Sequence, residues 1–169
     1  MWTVTLAELL VAAGQVDEAM AYAERASASA APTGNRHLVA DTERLFAYID
    51  AARGYYVAAR ARIAPRVADD RAKGAAWSLT AALALLALCT VALNENAYVV
   101  EEVVRQAVDA YRRVPHDEPA TWWAIRSTEA FLRGQGRERL ARELGHMLDL
   151  RLEAIARAFM DDEPITEQS

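Results

Sequence analysis

GAAWSLTAALALLALCTVAL, residues 74–93, is a run of twenty residues without a charge. Leu79, Leu83, Leu86 and Leu93 recur at helical spacing, and the faces between them carry Ala, Val, Cys and further Leu. A helix that is apolar all round must be wrapped by protein or by lipid. Length and lack of charge fit a membrane span, with Arg71, Lys73 and Glu95 as flanks. The stretch is nevertheless rich in Ala, holds only six Leu, and stands at short connections between amphipathic stretches. Those neighbours have apolar stripes that need a partner. The stretch is therefore read as the buried central helix of an all-α domain, with Leu86 at its middle and no membrane contact.

Seven further helices are expected around it. Trp2 to Ala13 sets Trp2, Leu6, Leu9, Leu10 and Ala13 on one face, predicted inward, and Gly14 stops it. Asp17 to Ala30 follows, then a loop at Pro32-Thr33-Gly34. His37 to Arg53 points Leu45, Ile49 and Ala52 inward. Tyr55 to Arg71 contains Pro65, which predicts a kink or an end near Ala64, because proline lacks the amide donor and clashes with the preceding turn. Beyond the central stretch, Asn96 is a candidate N-cap for Ala97 to Arg113. That helix carries the stripe Val100, Val103, Val104, Ala107, Val108 and Tyr111, and the expected ion pairs Glu101–Arg105 and Asp109–Arg113. PHDEP, residues 115–119, breaks the pattern. Ala120 to Arg133 comes next, then Arg137 to Met160 with Leu140, Leu144, Leu148, Leu152, Ile155 and Phe159 inward.

Composition agrees with helix throughout. Ala occurs 37 times in 169 residues, while Gly and Pro are few. The 18 Arg against one Lys suggest a high-GC bacterial source. A net charge of −5 argues against nonspecific nucleic-acid binding, which needs a basic surface. The single Cys89 has no internal disulfide partner, and Met1 to Ala13 has no basic start and carries Glu8, so the expected location is the cytoplasm.

Gly14, Gly54, Asn94 and Gly134 are 40 positions apart, each between the helices of one pair. Ala12, Ala52, Ala92 and Leu132 match at this period, as do Leu6, Phe46 and Leu86, a series that Arg126 breaks in the fourth unit. Residues 6–26, LAELLVAAGQVDEAMAYAERA, place Leu6, Ala7, Leu10, Gly14, Asp17-Glu18-Ala19 and Ala26 in a pattern that resembles a tetratricopeptide repeat. Ala7 stands where that family usually has Gly, and Ala23 where it usually has an aromatic residue. The second unit keeps Phe46, Ala47, Gly54, Tyr56 and Ala59. The fourth keeps Ala141 only with Gly136 as its turn glycine, and the third has Asn-Glu-Asn at the turn. The period exceeds the family's usual one and is similar to the degenerate tetratricopeptide-like regions of large bacterial ATP-binding transcriptional regulators. The resemblance implies a protein-interaction scaffold.

Constellations with chemistry are few. Glu143 and His146 have the E-x-x-H spacing of di-iron bundles, but such sites need a second pair and two further Glu, so a solvated face is expected and no metal. Gly134-Gln135-Gly136 with Arg137, Arg139 and Arg142 opens a helix where an anion could sit. No strand precedes it, which excludes a dinucleotide fingerprint, and it is read as a helix-pair turn with exposed Arg. Cys89 is read as a small core residue and His116-Asp117-Glu118 as a polar loop. Trp122 and Trp123, adjacent on one helix, point in different directions, so one is open to a groove or both pack between layers.

The expected fold is four αα-hairpins, at about residues 1–33, 36–72, 74–114 and 119–160, stacked as a short right-handed tetratricopeptide-like solenoid, with a disordered acidic tail at 161–169. First helices would line a concave face. The candidate partner-binding groove is Glu8, Arg44, Tyr48, Leu88, Trp122, Arg126 and Thr128. The expected function is a non-enzymatic scaffold for a protein or peptide partner, without cofactor, read as a fragment of a larger bacterial regulator because Met1-Trp2 enters its helix almost uncapped. The alternative is an all-helical small-molecule-binding or ligand-sensing domain using the wall around Tyr48, Trp77 and Trp122.

Overall fold

Five of the helices end at a residue in left-handed backbone that reverses the chain. A computed structural model describes residues 2–161, with side chains from 3 to 158. The expected tail falls almost wholly outside these residues, and so does the Phe159 side chain. The described chain is all helical: α1 Trp2–Ala12, α2 Val16–Ala30, α3 Arg36–Ala52, α4 Tyr56–Lys73, α5 Ala76–Ala92, α6 Ala97–Arg113, α7 Pro119–Gly134 and α8 Glu138–Asp161, with a 3-10 turn at Ala31–Thr33. No helix among the described residues is long and apolar enough to cross a membrane.

The turns within pairs share one construction. Gly14, Gly54, Asn94 and Gly136 all take left-handed backbone, at φ 78°, 81°, 51° and 70°. At each, the following amide reaches back to a carbonyl of the last helical turn: Gln15 to Leu10 (2.9 Å), Tyr55 to Asp50 (2.8 Å), Glu95 to Thr90 (3.3 Å) and Arg137 to Leu132 (2.8 Å). The turn residue's own amide donates to Val11, Ala51, Val91 and Arg133 respectively. This is the Schellman cap, which satisfies two orphan carbonyls and needs a residue tolerant of the left-handed region; asparagine is the usual substitute for glycine there. Gly74 builds the same cap between α4 and α5, with Ala75 donating to Asp70 at 2.9 Å. The fourth turn glycine is therefore Gly136, and Gly134 is the last residue of α7. The third connection between pairs, residues 114–118, is the longest of its kind without helical structure, and it displaces the fourth turn by two positions from the 40-residue register.

The core sits on α5. It packs against α4, α6 and α7 and more lightly against α3. Leu83, Leu85, Leu88, Cys89 and Val91 are buried among small Ala side chains that let neighbouring helices approach. The buried Thr90 hydroxyl is satisfied within the helix, donating to the Leu86 carbonyl (2.7 Å), while that of Thr80 lies 3.1 Å from the Ala76 carbonyl and is free to donate outside the helix. The odd-numbered helices also pack on one another, α1 on α3, α3 on α5, α5 on α7 and α7 back on α1. They form a closed inner group, with the first helices facing each other across the core.

Several local expectations change. α4 runs unbroken through Pro65. Ala61, whose carbonyl loses its partner to the proline, lies on the exposed side where water can serve it. On α1 the buried residues are Ala7, Glu8, Leu10 and Val11, while Leu6 and Leu9 are 39% and 48% exposed. The predicted inward face is thus mostly outward, because α1 is apolar on both sides. Leu86 is half-buried, and the fully enclosed leucines of α5 are Leu85 and Leu88. Arg105 pairs with Glu102 (2.7 Å) and Asp109 (3.4 Å), and Glu101 instead meets Arg139 of α8.

Leu88→Ala should cost about 2–5 kcal/mol in urea denaturation, and Leu86→Ala distinctly less. Equal costs would contradict the placement of Leu88 at the centre.

Candidate functional site

The densest group of buried polar side chains lies where α1, α3, α5 and the 114–118 connection meet. Arg44 of α3 is at its centre, with a side chain 2% exposed. Its guanidinium reaches Asp41 at 3.1 Å, one turn earlier on α3, then Glu118 at 3.5 Å and Glu8 of α1 at 3.7 Å. Carboxylates outnumber the guanidinium, and burial makes the excess charge costly. Burial first, then the neighbouring Glu118 carboxylate, pushes the Glu8 carboxyl up to about 8 against the pull of Arg44. Glu8 therefore keeps its proton at neutral pH and can share it with Glu118.

Next to this group runs a second chain of contacts. The Tyr48 hydroxyl, one turn after Arg44, lies 3.3 Å from the Ala81 carbonyl of α5 and 3.1 Å from Thr121 Oγ1 of α7. Thr121 Oγ1 is 3.0 Å from His116 Nδ1. Burial pushes the Tyr48 phenol up, so it stays protonated. His116 is fully enclosed, and burial, helped by the Arg44 charge, lowers its imidazole to about 3. It is neutral at physiological pH. Its ring stacks on Trp77 with centroids 3.9 Å apart, and Arg44 lies 6.0 Å from the same indole. Trp77 opens α5 and is 47% exposed, so it caps the cluster from the solvent side. Glu8 Oε1, Arg44 Nε and His116 Nε2 are buried without a hydrogen-bond partner.

The 114–118 connection delivers these groups. Thr80 of α5 donates to the Val114 carbonyl at 3.0 Å. Asp117 turns the other way, accepting from Arg151 of α8 at 3.0 Å and from the Tyr111 hydroxyl at 3.3 Å. With both sides held, His116 and Glu118 are directed into the core, and Pro119 starts α7 at a position where no amide donor is needed.

The sequence-derived groove residues divide. Glu8, Arg44 and Tyr48 belong to this cluster. Leu88 is core, and Thr128 is enclosed with its hydroxyl on the Ala124 carbonyl at 2.7 Å. Trp122 is half-buried and donates to the Tyr111 hydroxyl at 3.1 Å, and Trp123 packs edge-on against Tyr48 at 6.5 Å. Arg126 is exposed and pairs with Glu129 at 2.9 Å and with Asp149. Five of the seven are therefore covered by the chain itself. His116, Glu118 and Thr121 lie outside the groove expected from the sequence; the one hint of them is a connection without the glycine or asparagine that the other turns carry. Cys89 is buried, and burial pushes its thiol up to about 12, so it is no nucleophile. Glu143 faces Arg112 at 3.6 Å, and among the described residues no three His, Cys, Asp or Glu are grouped to hold a metal ion.

Comparison with protein-family models, with curated proteins and with solved structures finds no match.

The two shifted groups act oppositely on stability. Glu8 binds its proton more tightly when folded, so its contribution falls as pH rises from about 4.5 towards 8. His116 binds its proton less tightly when folded, so its contribution falls as pH drops from about 6.5 towards 3. Chemical denaturation should show that Glu8→Gln flattens the loss between about pH 6.5 and 8 and leaves the limb below about pH 4.5 unchanged. An unaltered alkaline limb would mean that Glu8 is ionised in the folded chain.

Proposed function

We propose that the chain is a non-catalytic protein-interaction module of tetratricopeptide-like helix pairs, working in the bacterial cytoplasm as part of a larger regulator. The observation that carries this reading is the Schellman cap repeated at Gly14, Gly54, Asn94 and Gly136, which joins four helix pairs of matched construction. Stacked pairs of this kind expose long helix surfaces that suit protein partners. The cluster's chemistry agrees with a structural role: His116 is neutral, Glu8 is protonated, and Arg44 is held by carboxylates from α1, α3 and the residue before α7.

The ligand-sensing alternative draws on one observation, the three unpartnered polar atoms of Glu8, Arg44 and His116 beneath Trp77. A small polar molecule entering beside Trp77 would find both donors and acceptors.

Two measurements on the purified chain separate these readings. Affinity capture from its own cells, followed by mass spectrometry, should recover a discrete protein partner at near-stoichiometric yield. Native mass spectrometry should show the bare chain mass. A small molecule retained by the chain and lost in Arg44→Met, with no captured protein, would overturn the scaffold reading in favour of sensing.

A further inference from the structure

The exposed apolar face of α1 has counterparts inside the molecule. In the 40-residue register, Thr5, Leu6, Leu9 and Ala12 correspond to Leu45, Phe46, Ile49 and Ala52 of α3, and to Leu85, Leu86, Cys89 and Ala92 of α5. Leu45, Ile49, Leu85 and Cys89 are completely buried, and the other four are partly covered. The preceding helix pair supplies that environment: α3 packs on α1 and, more extensively, α2, while α5 packs on α3 and, more extensively, α4. On α1 the same positions are open. Thr5, Leu6, Leu9, Ala12 and Ala13 are all exposed, and Leu9 is 48% accessible where Ile49 and Cys89 have no accessible surface.

Resting on the repeat reading, we propose that this face of α1 docks a helical hairpin of a partner protein, chiefly through the hairpin's second helix. The register states the chemistry of that helix. α2 and α4, which stand in the equivalent position for α3 and α5, bury Ala19, Ala23, Ala26 and Ala30, and Ala59, Ile63 and Val67. The docked helix therefore carries a stripe of alanine and short aliphatic residues, narrow enough for Leu6 and Leu9 to interdigitate with it. A second copy presenting its own α8 is a poorer fit. The outer side of α8 exposes Arg139, Arg142, His146, Asp149, Glu153 and Arg157, and its exposed apolar residues, Leu150, Ala154, Ala156 and Ala158, are confined to its second half and lie among these charges. The faces of α1 and α8 are thus unlike, one apolar and one mostly charged.

The test supplies the hairpin from the chain itself. Duplicating residues 1–40 ahead of Met1 continues the register, so that the copied α2 lies over α1 as α2 lies over α3. Helicity by circular dichroism reports whether the added pair folds, and Leu9→Ala is made in the parent and in the fusion. In the fusion Leu9 becomes a core leucine, so Leu9→Ala should lower the melting temperature by at least about 5 °C there and by less than about 2 °C in the parent. Equal small shifts in both, or an added pair that stays unfolded, overturn the proposal, because the face has then rejected its nearest mimic. Sedimentation showing a parent dimer abolished by Leu9→Glu overturns it too, since the occupant would be a second copy. If docking fails here while the affinity capture still recovers a protein partner, the scaffold reading stands and the binding face lies elsewhere. If capture recovers none, that reading fails whatever the fusion does.

Discussion

The Arg44 guanidinium is the contact on which the arrangement of helices depends. It binds a carboxylate on α1, another on its own helix and a third just before α7, all at the meeting point of the closed inner group. Apolar packing alone would hold these helices together in several rotations, since α1 and α5 are apolar around most of their circumference. A charge that must find its partners admits few of them. Such a group is weak as a source of net stability, because desolvation offsets most of the attraction, but removing one partner is expensive. The excess of carboxylate is relieved by a proton on Glu8, and the same burial keeps His116 neutral beside the cation. Arrangement and protonation state are therefore one problem with one solution.

That solution needs an irregular connection between α6 and α7. The first connection between pairs holds a 3-10 turn and the second is two residues long, and Gly34 and Gly74 take left-handed backbone at matched places, 40 positions apart. The third has no glycine and displaces the following turn glycine from the register. The irregular 114–118 connection brings His116 against Trp77 and Glu118 against Arg44, while Asp117 anchors it to α8 through Arg151. The irregular segment supplies two of the groups that close the inner helices, at the place where a regular turn would supply none.

Helix number and limits were legible in the sequence, because caps and hydrophobic period are local. Observed boundaries lie within a residue or two of those expected, as with α6 from Ala97 to Arg113, capped by the Asn96 side chain on the Val99 amide at 3.0 Å. Orientation was less legible. On α1, both Leu6-Leu9 and Ala7-Leu10-Val11 satisfy an apolar stripe, and only Glu8, drawn inward by Arg44 of another helix, decides between them. The ion pairs expected along α6 failed similarly, since Glu101 found Arg139 across the interface to α8. His116 read as a loop residue because nothing in PHDEP shows that Thr80 and Arg151 hold its two flanks.

Hydrogen exchange on Arg44→Met measures this dependence directly. With the guanidinium gone, Glu118 and Asp41 lose their counter-charge and the buried Glu8 carboxyl loses its neighbour on α3, and α1 should be the first element released from the inner group. Amides of α1 should lose protection by about 100-fold or more, in line with about 3 kcal/mol for removing one partner of a buried ion-pair group, while those of α5 keep theirs. Uniform loss across α1 and α5, or α1 protection equal to that of the unaltered chain, would contradict the claim that Arg44 sets the placement of α1.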